Sequence, residues 1–156
     1  MRALVQRVTS GRVDVRDADG SIRTTGKIGK GLVVLFGVSI DDKLETAAKL
    51  ADKCAALRCF EDENGKINLD IKQIGGEIIV VSQFTLCANY AHGNRPDFLD
   101  AEAPERANAL YEHFVSLLRA QDIPVGTGSF GADMQISLVN DGPVTVMMES
   151  DVLRKK

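Results

Sequence analysis

The stretch Leu32-Val33-Val34-Leu35-Phe36-Gly37-Val38 decides the fold, because it contains no charged or hydrogen-bonding side chain. A continuous apolar run of this length, preceded by Gly29-Lys30-Gly31, is typical of a strand that is buried on both faces. A second strand-like run, at residues 77–81, is apolar from Ile78 to Val81 and leads directly into Ser82-Gln83-Phe84-Thr85. The two runs predict the centre of a sheet that other elements cover.

Two further segments change to a helical period. Between residues 41 and 57, apolar residues recur every three or four positions, and Ser39 or Asp41 is a candidate N-cap. The same pattern returns between residues 104 and 120, where Pro104 suits the first helical turn. We therefore predict two main helices and interpret His113, in the second, as a surface or boundary residue.

The remaining segments predict antiparallel strands. Residues 3–8 and 12–16 alternate polar and apolar side chains around Thr9-Ser10-Gly11, which is typical of a hairpin. Residues 133–139 and 144–148 are predicted as two strands joined by a turn at 140–143. The sequence thus predicts a single α/β domain over residues 1–156, with a mainly antiparallel, barrel-like sheet covered by the two helices.

The composition is that of a soluble globular protein, with 44% hydrophobic and 26% charged residues among 156. No apolar run reaches the ~20 residues that cross a bilayer, and the start of the chain is too polar for a signal peptide, so we expect a cytoplasmic protein without membrane contact. The net charge of −3 argues against nonspecific coating of nucleic acid. Arg154-Lys155-Lys156 is interpreted as a solvated tail.

Cysteine and histidine usage predicts no metal and no cofactor. Cys54, Cys59 and Cys87 form no C-x-x-C motif, and we interpret them as small buried hydrophobic residues in a reducing compartment. His92 and His113 are the only imidazoles, and no cluster accompanies them.

Ser82-Gln83-Phe84-Thr85 is the first candidate for chemistry. A Ser or Thr nucleophile needs an activating base, and the chain has no G-x-S-x-G elbow and no evident Ser/His/Asp set. Two alternatives remain open. The segment ends its strand through local hydrogen bonds, or the backbone N–H groups after Gln83 form an oxyanion hole, which requires no particular side chain.

Two other segments carry a functional and a purely structural interpretation. In the loop at residues 89–98, Arg95 either holds a phosphate or carboxylate or is simply solvated. Gly142-Pro143 either makes an ordinary trans turn or presents rigid backbone carbonyls to a pocket. In the second case the backbone rejects a side chain of one hand by shape alone.

Taken together, these segments resemble the D-aminoacyl-tRNA deacylases of the bacterial and eukaryotic type over nearly the whole chain. The resemblance rests on the opening residues 1–8, on 29–32, 60–66, 82–86 and 93–96, on Phe130-Gly131-Ala132-Asp133-Met134, and on residues 140–145. No one of these segments is specific alone, but the set is highly specific.

The resemblance implies a homodimer that hydrolyses the ester joining a D-amino acid, or glycine mischarged onto tRNA(Ala), to the 3′ end of tRNA. It implies a cis Gly142-Pro143 peptide that enters the other subunit's pocket and that Arg7 helps to hold. It implies that Ser82, Gln83, Phe84 and Thr85 line the pocket, with Met134 close by. Thr85 has been viewed in the family as a nucleophile, whereas the alternative assigns the work to backbone groups and the terminal ribose 2′-OH.

The lack of a candidate base favours the backbone alternative, with the N–H groups of Phe84 and Thr85 as oxyanion donors. Two rival interpretations remain, a noncatalytic module that binds an RNA end or small ligand, and a general Ser/Thr esterase.

Overall fold

The apolar stretch that opened the sequence forms β3, the third strand of the computed structural model, which describes residues 1–153. The elements in chain order are β1 (Arg2–Arg16), β2 (Ile22–Ile28), β3 (Gly31–Gly37), α1 (Leu44–Ala55), β4 (Phe60–Glu61), β5 (Ile67–Leu69), β6 (Glu77–Ser82), a 3₁₀ helix (Phe84–Cys87), α2 (Pro104–Arg119), β7 (Val125–Thr127), β8 (Asp133–Glu149) and α3 (Ser150–Leu153). Both predicted main helices are present, and α3 is a single additional turn.

The main sheet has the order β2-β1-β3-β6-β7, and β8 pairs with the other edge of β1. β1 is antiparallel to β2, β3 and β8, whereas β3–β6 and β6–β7 are parallel, so the sheet is mixed. Its two ends nearly meet, because a Cβ atom on Gly26 of β2 would lie 3.2 Å from the carbonyl oxygen of Thr127 in β7. The barrel-like prediction is confirmed, with a parallel centre that the sequence analysis did not specify.

The predicted hairpin around Thr9-Ser10-Gly11 is wrong, because β1 runs without reversal through these residues. The predicted turn at 140–143 is also wrong, since it lies inside the continuous strand β8. The two long strands pair with each other from Arg2↔Glu149 to Arg16↔Asp133, and the register shifts where the turn-like segments face each other. Both segments are therefore bulges, which bend a strand without ending it.

Alternate side chains of β3 enter two different hydrophobic cores. Leu32, Val34 and Phe36 face α1 and α2, and the Phe36 ring stacks on Phe114 with centroids 4.3 Å apart. Val33 packs instead inside the barrel, among residues that include Ile79. The prediction of a strand buried on both faces is confirmed, and it explains why the stretch tolerates no polar side chain.

The helix ends are predicted in part. Pro104 occupies the first turn of α2 as expected, and His113 is half-buried at the edge of that helix. The N-cap of α1 is Lys43, without a side-chain cap, instead of Ser39 or Asp41. The side chain that orders this entry is the buried Asp42, whose carboxylate accepts the N–H of Ser39 at 2.8 Å.

The three cysteines are free and buried, which confirms their interpretation as small hydrophobic residues, and burial raises the pKa of Cys54 to about 12. Within residues 1–153, no helix is long and apolar enough to cross a membrane. The same range contains no group of three His, Cys, Asp or Glu side chains placed to hold a metal ion. The predicted tail Arg154-Lys155-Lys156 lies outside the described residues.

Candidate active site at the end of the second parallel strand

The chain turns sharply where β6 ends at Ser82. The N–H of Gln83 donates to the carbonyl of Phe36 at 2.8 Å, and its carbonyl accepts the N–H of Leu86 at 3.3 Å. No side chain caps the 3₁₀ helix that follows, and no acceptor within residues 1–153 takes the N–H of Phe84 or Thr85. Two neighbouring backbone donors are thus left free at the end of a buried strand, which is the arrangement that an oxyanion hole requires.

A cavity of about 580 Å³ lies beside these donors. Its walls come from the end of β6, from the segment before α2, from α2 itself and from the loop after β7. Five aromatic rings dominate the lining: Phe36, Phe84, Phe98, Tyr111 and Phe130. This volume and apolar character are those of a site for a small organic group, not for a metal ion.

Tyr111 of α2 is the buried polar group of the cavity wall. Its hydroxyl donates to the carbonyl of Val80 at 2.9 Å, and burial raises the pKa of the phenol to about 12. Tyr111 therefore stays neutral at physiological pH and ties α2 to β6, the strand that precedes the free donors. It is suited to shaping the cavity, since a phenol this weakly acidic is a poor proton donor.

The loop after the 3₁₀ helix covers one side of the cavity. Asn89 and Asp97 exchange two backbone hydrogen bonds of 2.9 Å, which close the loop at its base. Just beyond them, the Phe98 ring meets the Phe84 ring edge to face at 4.9 Å. Arg95 lies in the exposed tip and contacts no acidic residue among 1–153.

The Thr85 hydroxyl is held by a carboxamide. Gln83 Nε2 donates to Thr85 Oγ1 in a short contact, and no other side chain of residues 1–153 bonds this hydroxyl. A carboxamide accepts no proton at neutral pH, so the activating base that a threonine nucleophile needs is absent from this part of the chain. The structure therefore brings Ser82, Gln83 and Phe84 to the cavity and leaves Thr85 exposed beside it.

Gly142 and Pro143 form a projection on β8, and their peptide bond is cis, as the resemblance implied. Both residues are exposed, and they do not line the cavity of their own chain. Gly142 has φ of +140°, in the left-handed region that favours glycine. Within a single chain, the projection is held in place but has no cavity to enter.

Arg7 fixes the base of this projection. Its side chain is buried, Nε donates to the carbonyl of Asp141 at 2.8 Å, and Nη1 donates to the carbonyl of Cys59 at 2.8 Å. The carboxylates of Asp141 and Glu61 lie 3.6 and 3.9 Å from the guanidinium and offset its charge. The contact of Arg7 with the Gly-Pro segment, expected from the resemblance, is thus present.

Met134 lies near the cavity but outside its lining. Its sulfur accepts the N–H of Ser129 at 3.4 Å and so holds the loop that carries Phe130. Phe98, Tyr111 and Phe130 line the cavity but were not predicted from the sequence as site residues. Their only signal is aromatic identity, which at helical or loop positions is equally typical of an ordinary core.

Comparison with known proteins gives consistent results. The family model described as D-Tyr-tRNA(Tyr) deacylase matches residues 4–149. A D-aminoacyl-tRNA deacylase of Anaeromyxobacter dehalogenans is 55% identical over 150 residues, 96% of this chain and 97% of that protein. One from Thermotoga petrophila is 50% identical over 153 residues, 98% of this chain and 99% of that protein.

A solved structure also matches closely. The protein described as "c-Myc DNA Unwinding Element Binding Protein" superimposes with a TM-score of 0.86 at 39% identity, covering 96% of this chain and 98% of that one.

Fold, cavity and relatives define the class of protein: a hydrolase that acts on the ester bond of an aminoacyl-tRNA. Within that class, the chain belongs to the D-aminoacyl-tRNA deacylase family, which it matches over nearly its whole length.

Proposed function

We propose that this enzyme hydrolyses D-aminoacyl-tRNA with main-chain groups as its catalytic machinery. The observation that carries the proposal is the free pair of N–H groups on Phe84, which lines the aromatic cavity, and on Thr85, the next residue. When water attacks the ester carbonyl, the carbonyl oxygen becomes negative, and the two N–H groups stabilise it. The terminal ribose 2′-OH of the tRNA passes the proton of the attacking water to the departing 3′-oxygen, which accounts for the missing protein base. The bond between the carbonyl carbon and the 3′-oxygen then breaks, and the free D-amino acid and the tRNA are released.

Chiral selection is assigned to Gly142 and Pro143, which we call the backbone wall. Each wall enters the cavity of a second subunit and meets the amino acid at its α-carbon, so an L side chain collides with main-chain atoms while a D side chain points away. Glycine has no side chain to exclude, and glycyl-tRNA(Ala) is therefore a substrate of the same pocket. Ser82, Gln83 and Met134 are assigned to substrate binding.

The same arrangement supports the proposal of a homodimer. The wall is exposed and lies away from the cavity of its own chain, so it acts only across a subunit boundary. β8 pairs with β1 alone among the described strands, which leaves a long free edge, and Val139 and Met147 on it are 56% and 47% exposed. Exposed apolar residues along a free strand edge favour pairing with another chain.

Binding of tRNA is confined to the acceptor end in this proposal. The net charge of −3 provides no broad basic surface, and Arg95 at the exposed loop tip is the cation assigned to a terminal phosphate. An aminoacyl-tRNA substrate supports a cytoplasmic location for the enzyme. The DNA-binding role named for the 39% identical structure has no support in this charge balance.

Replacing Thr85 by alanine is expected to reduce kcat on D-Tyr-tRNA by less than about tenfold, because the hydroxyl has no base and the N–H remains. Loss of a true nucleophile costs about 10⁶-fold in a serine protease. Single-turnover deacylation of labelled D-Tyr-tRNA measures the difference. A folded Thr85→Ala enzyme without detectable turnover contradicts the backbone mechanism. If the wild-type protein binds D-Tyr-tRNA but does not hydrolyse it, the noncatalytic module is favoured instead.

Replacing Pro143 by alanine is expected to lower the ratio of D-Tyr-tRNA to L-Tyr-tRNA hydrolysis by at least about tenfold, since a flexible residue replaces one whose φ is fixed. The ratio is measured with both substrates in parallel reactions, and sedimentation equilibrium establishes the assembly state of wild type and variant. Unchanged selectivity in a dimeric Pro143→Ala enzyme rejects the backbone wall.

A further inference from the structure

Asn140 lies where β8 leaves its pairing with β1. It immediately precedes residues 141–144, which carry the backbone wall and which we call the wall segment. In the β1–β8 register, Gln6 pairs with Thr145 and Val8 pairs with Asn140. Only Arg7 lies between the two β1 residues, whereas four residues, Asp141 to Val144, lie between the two on β8. The backbone of this segment therefore lacks ladder partners and needs another source of hydrogen bonds.

The Asn140 side chain supplies those bonds. Its Oδ1 accepts the N–H of Val144 at 2.7 Å, and its Nδ2 donates to the Val144 carbonyl at 3.2 Å. Nδ2 also donates to Thr145 Oγ1 at 3.0 Å. The carboxamide thus offers one acceptor and one donor to a single residue, as the backbone of a neighbouring strand does.

We infer that Asn140 is a positioning residue for chiral selection. Its side chain closes the wall segment by making the hydrogen bonds with Val144 that a neighbouring strand would otherwise make. Arg7 holds the segment from the Asp141 side, and Asn140 holds it from the Val144 side, so Gly142 and Pro143 are fixed at both ends. This inference rests on the proposed backbone wall. Asn140 touches neither the cavity nor the free donors of Phe84 and Thr85, and it acts through the position of the wall alone.

The chemistry of the carboxamide makes the role specific. Leucine has a similar shape but offers no hydrogen bond, and it leaves both polar groups of Val144 without partners. Aspartate retains an acceptor for the Val144 N–H, but it places a second oxygen against the Val144 carbonyl. Neither residue can replace both bonds.

The test compares Asn140→Leu with Pro143→Ala and with Ser137→Ala, an exposed position on the same strand. Asn140→Leu is expected to lower the D-to-L hydrolysis ratio by at least about tenfold, because three hydrogen bonds that position the wall are lost. A merely structural role would lower the melting temperature and leave that ratio unchanged. Ser137→Ala is expected to keep the wild-type ratio.

The outcomes separate this inference from the proposed wall. A reduced ratio in both Pro143→Ala and Asn140→Leu supports the inference. A reduced ratio in Pro143→Ala with a wild-type ratio in Asn140→Leu overturns the role of Asn140 and leaves the wall standing. Unchanged ratios in both variants overturn the wall and the role of Asn140 together.

A measurement on the wild-type protein does not depend on how the variants fold. Hydrogen exchange of backbone amides by NMR is expected to show the Val144 N–H protected, although no β1 residue faces it. Rapid exchange at Val144, with protection at its paired neighbour Thr145, overturns the inference.

Discussion

Replacing Arg7 by methionine is expected to lower the D-to-L hydrolysis ratio by at least about 100-fold, which corresponds to roughly 2.7 kcal/mol. The guanidinium donates to the carbonyls of Asp141 and Cys59 from a buried position, and charge-assisted hydrogen bonds of this kind contribute about 1.5–3 kcal/mol each. Methionine fills much of the same volume but leaves both carbonyls without donors. In the proposed mechanism, the wall then loses the contact that positions it for entry into the cavity of a second subunit.

Two variants sharpen this prediction. Arg7→Lys is expected not to restore selectivity, because one ammonium lacks the planar fork that reaches two separate carbonyls. Arg12→Met is the matched control, since Arg12 lies on the same strand with a half-exposed side chain and pairs locally with Asp14. Parallel deacylation of D-Tyr-tRNA and L-Tyr-tRNA gives the ratio, and far-UV circular dichroism reports folding. A folded Arg7→Met enzyme with a ratio within about threefold of wild type contradicts the assigned role of Arg7.

Replacing Gly31 by alanine is expected to destabilise the protein by about 3 kcal/mol or more, the upper end of the cost of overpacking. A Cβ atom at this position would lie 1.9 Å from the carbonyl oxygen of Glu77, and no side-chain rotation relieves a clash with the main chain. Gly31 pairs with Val8 on one side and Glu77 on the other, so β3 cannot shift away without opening the sheet.

Urea unfolding of wild type and variant measures the change in free energy of unfolding. Gly29→Ala is the matched control, because the nearest atom to its Cβ would be a Glu77 carboxylate oxygen at 4.0 Å, the end of a flexible side chain. We expect Gly29→Ala to change stability by less than about 0.5 kcal/mol. Equal stability of Gly31→Ala and Gly29→Ala would show that β3 and β6 separate easily, against the close pairing described above.

The parts of the fold that the sequence predicts are those with a local signal. The apolar composition of β3 and the helical spacing in α1 and α2 are visible in any short window of the chain. The errors fall at Thr9-Ser10-Gly11 and at residues 140–143, where turn-forming residues lie inside strands. Contacts such as Arg7 Nε to the Asp141 carbonyl, between residues 134 positions apart, hold these segments in the sheet, and no local pattern reveals them.

The residues of the candidate site also divide into those with a local sequence signal and those without one. Ser82, Gln83 and Phe84 were predicted because polar residues follow a buried strand, and the structure brings all three to the cavity. Tyr111 reaches the cavity from α2 and Phe98 reaches it from a loop. Only the tertiary fold reveals that these two residues line the cavity. Asn140 was interpreted as part of a turn. Its hydrogen bonds to Val144 form inside a bulge of β8, and no local sequence pattern distinguishes that bulge from a turn.

The pairing of β1 with β8 also bears on how the molecule assembles during synthesis. Arg2 is partnered by Glu149, so β1 is synthesised long before β8, the strand that covers one of its edges. Contacts between such distant residues slow folding, and a bare strand edge invites association with other nascent chains. The architecture that presents the Gly-Pro projection is therefore expected to leave the growing polypeptide open to aggregation until β8 has been synthesised.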